Sequence, residues 1–358
     1  MTYSGLYGPA SNEGAEFPGA PDTVEITSAA RLHFGFLDAA GSLGRKFGSI
    51  GLAISYPRIR LRARLSDDIP VRCSCGENTA TALRYSSMFY EYMKSEGADL
   101  RSGAEITLDE IIPPHAGLGS GTQTALCVVS SLFKLHGMET SARGAAVISR
   151  RGLRSGVGIE SFARGGFIVD AGSPDDMPPQ TVFRGNFPKD WKVVLVFPPD
   201  QGEGLSGEKE TTAFGSFGNS ADPAPAREIC HILMMKLLPS IMEKKLGDFG
   251  AALERIQEIT GDSFAGFQSG RYASPMAEDI FRVMRRLGAA GMGQSSWGPV
   301  LYGFAGGDLE ASRIASGVRE FFQGASGGAG SLEVSVVSGR NHGAEITARR
   351  EGLDKDRR

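Results

Sequence analysis

The segment Pro113-Pro-His-Ala-Gly-Leu-Gly-Ser-Gly-Thr122 runs directly into an apolar-periodic stretch, Thr122 to Leu135. Three alternating glycines, Gly117, Gly119 and Gly121, are poor company for a helix interior or a strand, so the chain must curl here and start a helix at the end of the curl. The orphan N–H groups and the dipole of that helix favour an anion, and Ser120 and Thr122 add hydroxyl donors. The loop is a candidate phosphate cradle, with a helix-capping glycine turn as the plain structural alternative. It is not a P-loop, because no Gly-Lys-Ser/Thr follows. The dinucleotide fingerprint is also absent, since its third glycine is missing at the proper distance.

Length and charge set the frame for that loop. The chain has 358 residues, enough for two domains with their own cores. Glycine accounts for 49 of them, roughly twice ordinary usage and without a collagen-like period. With 38 Lys+Arg against 41 Asp+Glu, no basic excess points to a nucleic-acid partner. Four cysteines, Cys73, Cys75, Cys127 and Cys230, are too few and too irregular for a disulfide framework or a zinc finger. No apolar run is long enough to cross a membrane, and the first residues lack a secretory pattern. A cytoplasmic protein with ordinary thiols is expected.

Residues 1–22 are rich in Gly, Pro and Ser and read as a flexible tail, with order expected from Val24. Arg58 to Leu65 alternates strictly, which puts four arginines on one strand face and Ile59, Leu61 and Ala63 on the other. These charges either discourage edge pairing or meet a substrate anion. Helices are expected over Ala80 to Glu96, Arg227 to Lys245, Asp248 to Thr260 and Pro275 to Leu287. A buried strand is expected over Lys192 to Phe197, and a closing pair over Leu332 to Val337 and Ala344 to Arg349. The segment from Pro198 to Pro225 is long enough to be mobile or part of a site. A strand-rich first half and a helix-then-strand second half indicate α+β architecture. The expected units are 23–190 and 191–349, followed by a charged tail, 350–358.

The central Pro-x-x-x-Gly-Leu-Gly-Ser resembles the motif of the GHMP superfamily, named for its galacto-, homoserine, mevalonate and phosphomevalonate kinases. Further stretches are Ala30 to Asp38 with Phe47 to Ile54, Ser155 to Asp170, and Gly291 to Pro299. Together these four are similar to the non-kinase branch, the β-ribofuranosylaminobenzene 5'-phosphate synthases. The resemblance spans about residues 24 to 349 and implies a GHMP-kinase-like two-domain fold. It implies condensation of phosphoribosyl diphosphate with para-aminobenzoate, or a para-hydroxybenzoate, releasing diphosphate and CO2 in tetrahydromethanopterin biosynthesis. Magnesium is implied, without ATP or an organic cofactor. In the kinases the Ser-Gly-Val motif continues with an aspartate that helps activate the substrate hydroxyl, and an ungapped alignment puts Gly158 there. An ATP-dependent kinase of the same fold remains the alternative.

This chemistry needs an anion cradle, charge compensation for the leaving diphosphate and a slot for a flat acid. Arg31 and His33 share one strand face and, with Gln294 and Ser295, are expected at the reacting atoms. Phosphate and substrate contacts are expected from His115, Gly117, Leu118, Gly119, Ser120, Gly121 and Thr122. Arg45 and Lys46 on a glycine-flanked loop, Arg154 and Ser155, and the second loop's Gly293, Ser296 and Trp297 complete the set. Arg150 and Arg151 belong to the same basic cluster as Arg154, which alternatively complements a helix C-terminus. Glu160 and Asp170 are the acidic candidates for magnesium. A homodimer with no membrane partner is expected.

Overall fold

Two long strands, β1 (Thr23–Asp38) and β2 (Phe47–Ser66), pair antiparallel and form the spine of the first sheet. The computed structural model describes residues 20–66, 72–74, 76–98, 100, 102–175, 177–199, 222–268, 270–325 and 332–350. Most of the N-terminal tail, nearly all of the 198–225 segment and the tail beyond 350 lie outside the described residues. β2 alternates as its sequence requires: Ile59, Leu61 and Ala63 are buried while the arginines face out. It is not an edge strand, however. The sheet order β11-β1-β2-β4-β3, with β3 (Arg72–Ser74), β4 (Gly103–Glu110) and β11 (Glu345–Arg349), puts β2 inside. Three of its four outward arginines are matched across strands: Arg58 and Arg60 pair with Glu110, and Arg62 with Asp109. Those acids, not a substrate, are the counter-charges of these three.

β5 (Phe167–Asp170) pairs with the first half of β2 and with β6 (Thr181–Gly185). The second sheet has the order β10-β7-β9-β8, from β7 (Lys192–Phe197), β8 (Ala290–Gln294), β9 (Leu301–Ala305) and β10 (Glu333–Ser338). The two closing strands therefore do not pair with each other: β10 joins the second sheet while β11 returns to β1 in the first. Between them, a bridge from Gly339 to Ile54 ties the chain to β2.

Helices cover these sheets. On the first lie α1 (Thr79–Ser95), α2 (Ser120–Leu135), α3 (Ala142–Ile148) and α4 (Val157–Ala163). α2 is buried on every side from Gln123 to Phe133, which explains its near-continuous apolar composition. The helix expected over 227–245 is α5 (Ala224–Ile232), a π turn over Leu233–Leu237, and α6 (Leu238–Met242). α7 (Leu246–Phe264), α8 (Ala277–Arg286) and α9 (Asp308–Ala325) follow. Rings of Phe34, Phe304, Phe249 and Phe187 succeed one another at centroid distances of 6.2, 5.0 and 5.8 Å, so one continuous core joins both sheets. A second cluster, including Val194, Ile280 and Ile314, lies beneath α8 and α9. The fold is α+β, and the motif-bearing loops collect where the sheets meet.

Candidate active site

Gly119 takes a left-handed conformation (φ 84°) and accepts from the Thr122 and Gln123 N–H groups, which starts α2 where the glycine pattern requires. The N–H groups of Ser120 and Gly121 precede the first intrahelical bond and are the orphan donors of a helix start. Two guanidinium groups flank this terminus. Arg31 Nη1 donates to Gly117 O at 2.5 Å, and its side chain lies 3.3 Å from where a Cβ on Gly119 would stand. A Cβ on Gly121 would stand 2.8 Å from the Arg151 guanidinium. Arg151 is exposed, and its place over the loop was not separable in the sequence from its neighbours Arg150 and Arg154. His115, at φ 58°, is exposed on the outer rim of the loop.

The second loop is locked to the first. A Cβ on Gly117 would stand 2.0 Å from Ser295 O, and one on Gly298 would stand 2.2 Å from Gly117 N. Only glycine permits this backbone approach. Ser295 Oγ donates to Gly117 O at 2.8 Å and accepts from His33 N at 3.1 Å. Its hydrogen is thereby committed, and its geometry is that of a brace between β1 and both loops. Gln294 is similarly engaged: Oε1 accepts from Ala273 N and Nε2 donates to Ser296 O at 2.9 Å. Gly293 leaves room for Gln257 and Tyr302, whose atoms stand 2.5–2.6 Å from a Cβ there. Ser296, held at φ 57°, donates its N–H to His33 O at 3.0 Å. That left-handed conformation costs about 1–2 kcal/mol in a non-glycine residue.

His33 lines an open cleft together with Phe36, Gln257, Phe264 and Trp297. The ring is 2% exposed, its Nδ1 accepts from Gly35 N at 3.3 Å, and its Nε2 has no hydrogen-bond partner. Burial first, and the Arg31 charge second, push its pKa well below the usual histidine value, so the ring is neutral. Phe36, Phe264 and Trp297 wall the cleft, with Phe264 and Trp297 edge to face at 4.3 Å. Thr260 completes it, with its Oγ1 buried without a hydrogen-bond partner against Gly35. Sequence inspection overlooked Thr260, although it continues the buried α7 stripe of Phe249, Leu253 and Ile256 at the same spacing, and a hydroxyl in that stripe is the available signal.

The remaining expected residues hold the frame. Asp170 is fully buried; it accepts from Ser49, from Gly156 N at 2.8 Å and from Gly172 N at 2.9 Å. Ser49 Oγ also lies 2.7 Å from Ser155 Oγ. These bonds clamp the Ser155-Gly-Val turn to β5, and Asp170 serves as that clamp instead of facing a cation. Glu160 pairs with Arg164 and accepts from Thr181 at 3.2 Å. Among the described residues no group of three or more His, Cys, Asp and Glu is placed to hold a metal ion. Arg45 donates to the carbonyls of Ala171 and Gly172 at 2.9 and 2.8 Å, fastening its loop to β5, while Lys46 is exposed. Arg154 is half-buried beside the clamp. Gly158 faces α2: a Cβ there would meet Thr122 Cγ2 at 3.1 Å, and its carbonyl accepts from Gln123 at 2.8 Å.

Residues 79–165 match the GHMP kinases N terminal domain model, and residues 235–324 the GHMP kinases C terminal model. Among solved structures, the chain is similar to homoserine kinase from Cytophaga hutchinsonii (TM-score 0.67, 16% identity, 93% of this chain and 100% of that one). It is also similar to L. major mevalonate kinase in complex with R-mevalonate (TM-score 0.63, 12% identity, 88% and 96%). The fold is thus that of the GHMP kinases. Two archaeal enzymes named beta-ribofuranosylphenol 5'-phosphate synthase match almost end to end. The one from Methanothermobacter thermautotrophicus is 31% identical over 89% of this chain and 97% of its own. The one from Archaeoglobus fulgidus is 32% identical over 90% and 99%. The chain belongs to this synthase family.

Proposed function

We propose that the protein condenses phosphoribosyl diphosphate with a para-substituted benzoate, para-aminobenzoate or para-hydroxybenzoate, and releases diphosphate and CO2 to leave a carbon–carbon riboside phosphate. The observation that carries this reading is the α2 N-terminus flanked by Arg31 and Arg151, a cradle for a polyanion. The cleft walled by Phe36, Phe264 and Trp297 supports a flat acceptor in the same reading. The relatives' name, which describes a ribofuranosylphenol phosphate, supports the same product class.

In this reading the C1–oxygen bond to diphosphate breaks as the ring carbon bearing the carboxylate bonds to the sugar C1. Diphosphate keeps the electron pair of the broken bond. The para substituent carries the positive charge of the ring until the carboxyl carbon leaves as CO2, returning its bonding electrons to the arene. The Gly117–Thr122 donors, Arg31 and Arg151 hold the developing diphosphate charge, and Ser295, by bracing β1 against both loops, sets the distance between the reactants. Glu160 and Asp170 are engaged by protein donors, so this reading assigns neither of them to magnesium. Magnesium enters this reading as the counter-ion of the diphosphate, part of the substrate.

Gly158 supports this reading over an ATP-dependent kinase, because it carries no carboxylate to activate a substrate hydroxyl, and a Cβ there would already meet Thr122 Cγ2 at 3.1 Å. A single assay tests it: phosphoribosyl diphosphate plus para-hydroxy- or para-aminobenzoate, without ATP, should yield equimolar diphosphate and CO2. CO2 release should vanish when phosphoribosyl diphosphate is omitted. Turnover that consumes ATP stoichiometrically, or a product joined through nitrogen or oxygen, would overturn it. The tetrahydromethanopterin pathway and a cytoplasmic, homodimeric state belong to this proposal. Among the described residues no helix is long and apolar enough to cross a membrane.

A further inference from the structure

The first sheet ends on β11, and among the described residues no strand lies beyond it. All five of its residues are exposed, and its register with β1 runs without a bulge from Glu345 opposite Thr27 to Arg349 opposite Thr23. A strand edge presents a row of unpaired backbone N–H and C=O groups, and folded chains blunt such edges with short strands, bulges, covering side chains or charges. Other edges here carry such devices. β3 is three residues long, and along β8 the Glu254 carboxylate accepts from Gly291 N at 3.1 Å and Met292 N at 3.4 Å.

Alternation along β11 adds an apolar component. Ile346 and Ala348 stand opposite Ile26 and Val24, so they share the face that β1 turns to the core. Ile26 and Val24 are fully buried, yet Ile346 is 45% exposed, so the apolar face runs one strand further than its cover. Glu345, Thr347 and Arg349 take the other face. Arg340 and His342 meet Glu345 through Oε1 at 3.2 and 3.7 Å, and its side chain remains 65% exposed. A charge protects an edge when it repels a copy of itself. Glu345 and Arg349 do the opposite, because they carry opposite signs and lie symmetrically about Thr347. Antiparallel pairing with a second β11, by a two-fold axis through Thr347, sets Glu345 against Arg349 twice. It also sets Ile346 against Ala348 twice, so each copy covers part of the other's exposed apolar face. Shifting the register by two residues in either direction loses both direct charge pairs.

We infer that β11 is the docking edge for a second copy of this chain, joining two seven-stranded sheets into one across a two-fold axis through Thr347. The inference names the surface of the homodimer in the proposed function and is independent of the reaction.

Sedimentation velocity on the full chain and on its Glu345→Arg and Arg349→Glu variants tests this, with a melting curve for each to show that it folds. Wild type should sediment as a dimer. Each single variant sets like charges against each other twice and should weaken the dimer by about tenfold or more. Mixing the two variants should restore it, because one chain then presents two arginines and the other two glutamates. Native mass spectrometry of the mixture should find the mixed pair in excess over both like pairs. Damage to the fold at β11 is not repaired by mixing, so this readout separates docking from a structural role. The double change, Glu345→Arg with Arg349→Glu, should also restore self-association. A monomeric wild type would overturn the inference and the homodimer together. A wild-type dimer that neither variant weakens, or variants that fail to recover on mixing, would overturn this surface alone. If the dimer follows these charge changes yet releases no diphosphate, the condensation falls and the interface stands.

Discussion

Arg31 and Arg151 reach the same helix terminus by different routes, and their substitutions should fail differently. Arg151 is exposed and makes no ion pair among the described residues, so Arg151→Ala removes a charge from the cradle and little from the fold. A charge-assisted hydrogen bond is worth about 1.5–3 kcal/mol, which translates to roughly a 10- to 100-fold rise in the KM for phosphoribosyl diphosphate with the melting temperature nearly unchanged. Steady-state kinetics beside a thermal melt checks this. An unmoved KM would take Arg151 out of the site. Arg31→Lys keeps a charge but loses the fork that reaches Gly117 O, so it should raise the same KM and also loosen the loop.

At the scale of the elements, the two Gly/Ser loops work as one unit, and two glycines of the first loop separate its tasks. Gly117→Ala drives a methyl group to 2.0 Å from the Ser295 backbone carbonyl, so the loops must part. Activity and stability should both drop, the latter by about 2–4 kcal/mol in a urea titration. Gly119→Ala meets only the side chain of Arg31, at 3.3 Å, though at a positive φ. It should cost about 1–2 kcal/mol while raising the KM for phosphoribosyl diphosphate much more steeply, because the displaced side chain is a proposed ligand. Equal behaviour of the two variants would mean that the first loop is a structural turn. Both glycines belong to a motif legible in the sequence, but the backbone carbonyl facing Gly117 is 178 residues away, so only the fold distinguishes them.

At the scale of the molecule, stability should decline on mild acidification. His33 and His136 are buried in different regions, and burial lowers both pKa values, that of His136 to about 4. Each stays neutral in the native state while the unfolded chain takes up a proton below about 6.5. The stabilisation is complete above that pH and is lost as pH falls towards the native value. Asp170, raised by burial, works in the opposite sense, so a difference measurement is cleaner. The gap in unfolding free energy between wild type and His136→Gln should shrink by about 3 kcal/mol between pH 6.5 and 4. A constant gap over that range would mean that His136 takes up a proton as readily in the folded protein as in the unfolded chain. Its bond with Tyr90 Oη, at 3.2 Å, is lost at every pH and drops out of the slope.

Local physics was enough for the parts of the protein governed by near neighbours. The start of α2 followed from the glycines and the periodic stretch behind them, because a helix boundary depends on a few consecutive φ/ψ choices. The two faces of β2 followed from strict alternation, and the α+β class from the order of the patterns. Partners distant in sequence did not follow. Nothing in the run from Arg58 to Leu65 indicates that Glu110 and Asp109 take up its charges, since strand order is set by which apolar faces bury together. Asp170 looked like a metal ligand because an acid at a strand end can cap a turn or bind a cation, and only its surroundings, Ser49, Gly156 and Gly172, assign it to the clamp. The cleft is the extreme case: β1 contributes His33 and Phe36, α7 contributes Thr260 and Phe264, and the turn after β8 contributes Trp297. Residue type can suggest such groups one by one, but only packing across both sheets brings them to one cleft.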